Sequence, residues 1–150
     1  MSKVQIRWAE PGDEPALLKL MQALATFEGY RDQFAVTESA LNDVLFQRKT
    51  AQALVAEIAH QPIGMLVFYP LPFTYDLKPW WLMKELYVDS AYRNGGVGEQ
   101  LFSALTHYAK TQGGSRIRWD VLSTNLPAQR FYQRQGARHN QDWQLFDLTL

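Results

Sequence analysis

The sequence predicts an α/β domain of the α+β kind, a central mixed, twisted sheet of about six to seven strands with helices on both faces. Three observations carry this expectation. Period-two and period-3.6 apolar patterns both occur, in separate stretches of the chain. Strands follow one another in hairpin order early and alternate with helices late. The 150 residues suit one domain over 1–150, a size that buries ~68–70% of the unfolded surface.

"KVQIRWA" sets Val4, Ile6 and Trp8 against Lys3, Gln5 and Arg7 and reads as the first strand. "EPGDEP" breaks it with acids suited to a helix start, and Leu17, Leu20, Met21 and Leu24 then recur at helical spacing, so a first helix is expected over about 13–26. "FEGYRDQFAV" reads as a loop. Thr37 and Glu38 open a second helix whose short apolar face is Leu41, Val44 and Leu45. The second strand is expected over 52–59, with His60-Gln61 as its turn and Pro62 opening the third strand, "IGMLVFY". "PLPFTYDLKPWW", with three prolines and many aromatics, reads as an exposed loop feeding a fourth strand, "LMKELYV". It is also a candidate interface or pocket rim.

Val97, Leu101, Ala104, Leu105 and Tyr108 trace the next helix, which Gly113 and Gly114 end. "SRIRWDVL" alternates and gives a fifth strand. "PAQRFYQRQG" is a short helix with Pro127 near its start and Gly136 past its end, and "DWQLFDLTL" is a terminal strand. The helix between the fourth and fifth strands requires those two strands to run parallel.

Fifteen basic residues balance fifteen acidic ones, which gives no support to bulk electrostatic binding of nucleic acid. Cysteine is absent, which excludes disulfides, zinc–thiolate sites and a cysteine nucleophile. His60, His107 and His139 lack metal-ligand spacing, so no metal is expected. No apolar run approaches ~20 residues, and "MSKVQIRW" lacks a signal-peptide core. The expected location is the cytoplasm, with no membrane partner.

"YRNGGVG", residues 92–98, places three glycines in four positions between a strand and a helix. A tight turn explains them. So does an anion cradle, in which successive N–H groups converge on a phosphate at a helix N-terminus and Arg93 adds a charged donor. The stretch ends Gly98-Glu99-Gln100, so it is not a P-loop, and it does not supply the Gly-x-Gly-x-x-Gly of a dinucleotide fold.

"RNGGVG" does fit Arg-x-x-Gly-x-Gly, and here the chain resembles the GNAT acyl-CoA N-acyltransferase superfamily. "ELYVDSAYRNGGVG" and "TNLPAQRFYQRQGA" carry the resemblance in order and at the family's spacing. "LATFEGYRDQ", "FTYD" and "DWQLF" resemble segments of the diamine (spermidine/spermine) acetyltransferase branch. The resemblance implies an N-acetyltransferase with acetyl-CoA as co-substrate, a site around the parallel fourth and fifth strands, and a homodimer. It implies that the N–H groups of Asn94, Gly95, Gly96, Val97, Gly98 and Glu99 hold the CoA pyrophosphate beside Arg93. It further implies that the backbone of Leu86, Tyr87 and Val88 pairs with the pantetheine arm, and that Asn125 bonds pantetheine or acceptor. As residues, Asn125 reads equally as a helix N-cap before Pro127.

Acyl transfer to an amine requires removal of a proton from an ammonium of pKa near ~10.4 and protonation of a leaving thiolate. Tyr132 matches the family's acid tyrosine, and a phenol of pKa ~10 holds the proton a thiolate of pKa ~8.5 needs. The branch carries its glutamate base on the fourth strand at the position of Lys84. Glu85 is the nearest carboxylate, but on an unbulged strand it faces the other side; a bulge would change this, and a water chain is the alternative. Glu28 matches an acidic acceptor-binding residue, and Phe27 replaces the branch's tyrosine. Gln141 stands where the branch has an acid, with Asp142 beside it. Asp76, Trp80 and Trp143 would line an aromatic, acidic pocket for a cation, which Lys84 also borders. The expected acceptor is a primary amine of a small molecule, polyamine-like or amino-acid-like, with a small amine or amino-acid-like acceptor preferred to spermidine. A protein or peptide acceptor and a non-catalytic acyl-CoA sensor are the alternatives.

Overall fold

A computed structural model describes residues 3–150. Their contacts form two compact units, the first ending at Asp120 and the second Val121–Leu150. The first unit contains β1 (Gln5–Trp8), α1 (Glu14–Glu28), α2 (Glu38–Asn42), β2 (Gln52–Ile58), β3 (Gln61–Leu71), β4 (Trp80–Val88), α3 (Val97–Thr111) and β5 (Arg116–Arg118). The strands lie side by side in chain order. All neighbours are antiparallel except β4 and β5, which are parallel as the crossover helix α3 demands.

Local chemistry sets the element ends. Pro15 stands in the first turn of α1, and Gly29 closes the helix in the left-handed region at φ 87°, its N–H reaching the carbonyls of Ala25 and Thr26. Thr37 caps α2, its hydroxyl accepting from the Ala40 N–H at 3.1 Å. A single π turn over Asp43–Gln47 then carries Leu45 into the core. The β2–β3 turn is Ala59-His60, one residue earlier than expected, with φ of 50° and 67°. Two consecutive positive values are what a two-residue hairpin needs. β3 runs on through Pro70 and Leu71, and β4 begins at Trp80, so the proline- and aromatic-rich loop shrinks to 72–79.

Alternation then builds two apolar layers. Ala53, Val55, Met65 and Val67 face α1 and bury Leu17, Leu20, Met21 and Leu24 together with Leu41 and Leu45. The opposite face carries buried Leu54, Leu66 and Phe68, and α3 contributes buried Leu101, Phe102 and Leu105. There Phe68, Trp8, Trp81 and Tyr108 meet ring to ring at 4.9–6.0 Å. Each fully buried large side chain contributes about 1.5–3 kcal/mol.

The second unit holds α4 (Leu126–Arg134). Asn125 caps it, its side chain accepting from the Ala128 N–H at 3.2 Å, and Pro127 lies in its first turn. Among the described residues the sheet has five strands against the six to seven expected. β5 is only three residues long, and 142–150 has no strand assigned among the described residues. Alternation provides two faces, but a strand exists only where a ladder partner takes its backbone groups. No helix of the described residues is long and apolar enough to cross a membrane.

Candidate functional site

The turn between β4 and α3 presents backbone donors. Asp89 accepts from the Ala91 N–H at 2.9 Å, and its carbonyl accepts from the Tyr92 N–H at 2.9 Å, folding 89–92 into one tight turn. Asn94 and Gly96 then take φ of 65° and 81°. Gly96 is the N-cap of α3 and offers no capping side chain. Among the described residues, no backbone N–H from Asn94 to Glu99 donates to a carbonyl in this turn. A helix leaves its first N–H groups open and adds positive potential there; here a glycine cap leaves them uncovered. The left-handed φ demands glycine at 96, since nothing crowds a Cβ there. Gly95 has no such constraint, its nearest neighbour being the Tyr92 carbonyl at 3.8 Å.

Arg93 is tethered beside this turn. Its Nε donates to the Val88 carbonyl at 3.0 Å, and its guanidinium lies 5.2 Å from the Tyr87 ring centroid and 5.8 Å from that of Phe27. The arginine therefore links the strand end to the last turn of α1.

β4 is paired along one edge by β3 up to Val88, but β5 accompanies it only from Trp80 to Leu82. Beyond Leu82, among the described residues, β5 leaves that edge, including Leu86, Tyr87 and Val88, open. An extended ligand with amide groups fits such an edge.

The register of β3 on β4 slips here. Phe68 stands opposite Met83 and Val67 opposite Glu85, so Lys84 is the extra residue of a β-bulge. Opposed residues share a face. Met83 therefore goes with Phe68 toward α3, and Glu85 with Val67 toward α1. The bulge thus brings Glu85, not Lys84, to the α1 face, which it shares with Tyr87; Lys84 is exposed.

That face is acidic. Glu85 is half-buried, and its Oε2 is buried with no hydrogen-bond partner. Burial pushes its carboxyl above the usual range, the Lys84 ammonium pulls it down and the Glu28 carboxylate pushes it up further. Glu28 is the last residue of α1, where a negative charge opposes the helix dipole by about 0.3–1 kcal/mol. Tyr30 completes the group. Burial, the charges of Glu85 and Glu28 and a hydrogen bond to Glu28 push its phenol up to about 12. Tyr30 was invisible in the sequence, sitting in an aperiodic loop.

The other expected residues sit on other elements of the chain. The Asp76 carboxylate accepts from the Thr74 hydroxyl and the Lys78 N–H, both at 3.0 Å, and shapes the 74–78 turn. Trp80 is buried, and its ring already carries two cations, Arg116 and Arg118, at 4.5 and 4.8 Å. Both arginines sit on the α1 side of β5, a placement the alternation of "SRIRWDVL" contained. Tyr132, on α4, and Asn125 belong to the second unit, as does Trp143 in the terminal segment; the Tyr132 ring meets Phe131 edge-on at 5.4 Å. Among the described residues, no cluster of three or more His, Cys, Asp or Glu is arranged to hold a metal ion.

Comparison with known proteins gives a consistent answer. The profile of the Acetyltransferase (GNAT) family matches residues 17–137. Thialysine N-epsilon-acetyltransferase of Sus scrofa is 31% identical over 147 residues, covering 92% of this chain and 86% of that protein. L-ornithine N5-acetyltransferase NATA1 of Arabidopsis thaliana is 25% identical over 191 residues, covering 97% and 84%. In fold, the chain is similar to an aminoglycoside acetyltransferase, meta-AAC0020, from an uncultured soil metagenomic sample, with a TM-score of 0.84, 20% identity and coverage of 98% and 96%.

Proposed function

The chain belongs to the GNAT acetyltransferase family, and from that premise we propose that it acetylates a primary amine of a small, amino-acid-like molecule, with acetyl-CoA as donor. The observation that carries the reading is the bulge at Lys84, which sets a half-buried, unpartnered carboxylate on the strand that leads into the donor-rich turn. The names of two relatives, which specify the N5 of ornithine and the Nε of thialysine, support an amino-acid-like acceptor.

In this reading the N–H groups of Asn94 to Glu99 hold the pyrophosphate at the start of α3, and the open edge of β4 at Leu86, Tyr87 and Val88 pairs with the pantetheine amides. Phe27, Glu28, Trp80 and Glu85 border the acceptor, with Lys84 and Asp76 at its rim. The Glu85 carboxylate takes a proton from the substrate ammonium, and the freed nitrogen forms its bond to the acyl carbon. As the carbon–sulfur bond breaks, the Tyr132 hydroxyl gives its proton to the departing thiolate and takes up the second proton that the nitrogen sheds as it becomes an amide, while Glu85 releases its own proton to solvent. Asn125 caps α4 with its carbonyl oxygen and turns its amide N–H groups to pantetheine or acceptor. No metal takes part, the 150 residues act as one domain, and the enzyme works as a cytoplasmic homodimer.

A thiol-release assay with acetyl-CoA across amino acids, polyamines, aminoglycosides and peptides tests the reading. The expected outcome is transfer to small amines, amino acids first, and a rise in thermal stability with CoA, since a ligand of the native state at about 100 times Kd adds about 2.7 kcal/mol. A CoA shift without transfer to any amine would leave an acyl-CoA sensor. No shift at saturating CoA would refute both.

A further inference from the structure

Arg116 and Arg118 have no part in the chemistry above, yet they share the sheet face of Glu85. They alternate with Ile117 on β5 and stand in register beside Trp80 and Leu82. Both guanidiniums lie against one indole ring, at 4.5 and 4.8 Å from its centroid. Among the described residues, neither forms an ion pair, whereas Arg7 and Arg48 both do. The ring that carries them is 8% exposed, and its Nε1–H is buried without an acceptor. Two like charges and an unused N–H therefore meet on a packed platform. A ring face offsets such charges weakly, whereas a carboxylate takes guanidinium forks in a bidentate geometry.

The opposite charge lies further along the same face. Leu82 stands opposite Tyr69 and Glu85 opposite Val67, so the row of Arg118 and the row of Glu85 are separated by two strand residues, roughly 7 Å. The row of Arg116 lies roughly 7 Å beyond, and β5 is offset sideways by about 4.8 Å. Long side chains close part of that distance. A chain of four or five carbons joins a carboxylate to an amine through five or six bonds, each advancing roughly 1.25 Å when extended, and so spans roughly 6–8 Å.

We propose that Arg116 and Arg118, mounted on Trp80, bind the carboxylate of the acceptor while Glu85 and Glu28 face its reacting ammonium, so that the acceptor is a diamino acid. The inference rests on the acetyltransferase reading and names its substrate class. A polyamine, cationic along its whole length, sets an ammonium against two guanidiniums and is disfavoured by like-charge contact.

The test compares L-ornithine with 1,4-diaminobutane and L-lysine with 1,5-diaminopentane, each diamine being the amino acid without its carboxylate. Rates are measured for the unaltered protein and for R116Q, R118Q and R118K, with the CoA-induced thermal shift as the check on folding. The unaltered protein should prefer the amino acids. In R116Q and R118Q the kcat/KM ratio of amino acid to diamine should fall about ten- to hundredfold, through KM. R118K, which keeps the charge and loses the fork, should fall between. Equal losses for both acceptors would reduce the arginines to props for Trp80 and overturn the inference, as would a native preference for the diamines. If no amine is turned over, calorimetry with L-ornithine and 1,4-diaminobutane separates the two claims. Carboxylate-dependent binding that R118Q abolishes sustains this inference while the acetyltransferase reading falls; its absence overturns both.

Discussion

Glu85 owes its chemistry to its surroundings. Burial raises its carboxyl above the ordinary 4.5, against the pull of Lys84 and with the push of Glu28. A raised carboxyl means that the folded state binds the proton more tightly. Its contribution to stability is therefore full below the unfolded pKa and falls as pH rises through the folded value. Glu85→Gln should remove that decline, seen as a flatter profile of stability against pH over that window. As the base it acts ionised, so the acid limb of kcat/KM should lie above an ordinary carboxylate, and Glu85→Gln should abolish the limb and slow turnover about 10²–10⁴-fold. Tyr132→Phe keeps the ring and removes the proton; turnover should fall by a similar ~10²–10⁴-fold with unchanged folding. Normal turnover in that variant would take Tyr132 out of the mechanism. Neither Tyr30 nor the arginine pair stood out in the sequence, because aromatic and basic residues in loops and short strands have ordinary structural uses.

At the level of elements, the turn before α3 and the bulge in β4 were unequally legible. The glycines announced the turn, since three together at a strand–helix junction have few other uses. The structure separates their roles. Gly96→Ala should cost about 1–2 kcal/mol, because L side chains resist its φ of 81°, and should reduce the CoA thermal shift. Gly95→Ala, with no positive φ and its nearest contact at 3.8 Å, should be close to neutral by both measures. The bulge left no local mark. "LMKELYV" reads as an uninterrupted strand, and only its pairing with β3 shows that Lys84 is the extra residue. A one-residue slip exchanges the faces of all that follows, which is why the carboxylate stands where alternation places the lysine.

Across the whole first unit, one polar network ties the sheet to the first helix. Arg7 on β1 donates to Glu57 on β2 at 2.9 Å and to both Asp13 oxygens at 2.8 and 3.0 Å, and Asp13 also accepts from the Glu10 N–H at 2.8 Å. Burial pushes the Asp13 carboxyl up, but the guanidinium and the backbone N–H outweigh it and hold it below its usual 3.8. A depressed carboxyl stabilises the fold above its unfolded pKa, and that contribution is lost as pH falls through the folded value. Asp13→Asn should lower stability by about 1–3 kcal/mol near neutrality and weaken the acid dependence, measured by urea unfolding from neutral to acid pH.

Periodicity and turn chemistry by themselves determined the two apolar layers, the order of elements as far as α4, the parallel β4–β5 pair and the glycine-rich turn before α3. The layers, the order and the turn depend on residues within a few positions of one another, where backbone geometry is dictated locally, and the parallel pair follows from the helix that joins its strands. The tertiary structure alone decided that Glu85 rather than Lys84 faces α1, where β5 leaves the edge of β4, and that an acidic group and an arginine pair share one face. These follow from hydrogen-bond register between strands distant in the chain, and a shift of one residue there reverses the chemistry that a face presents.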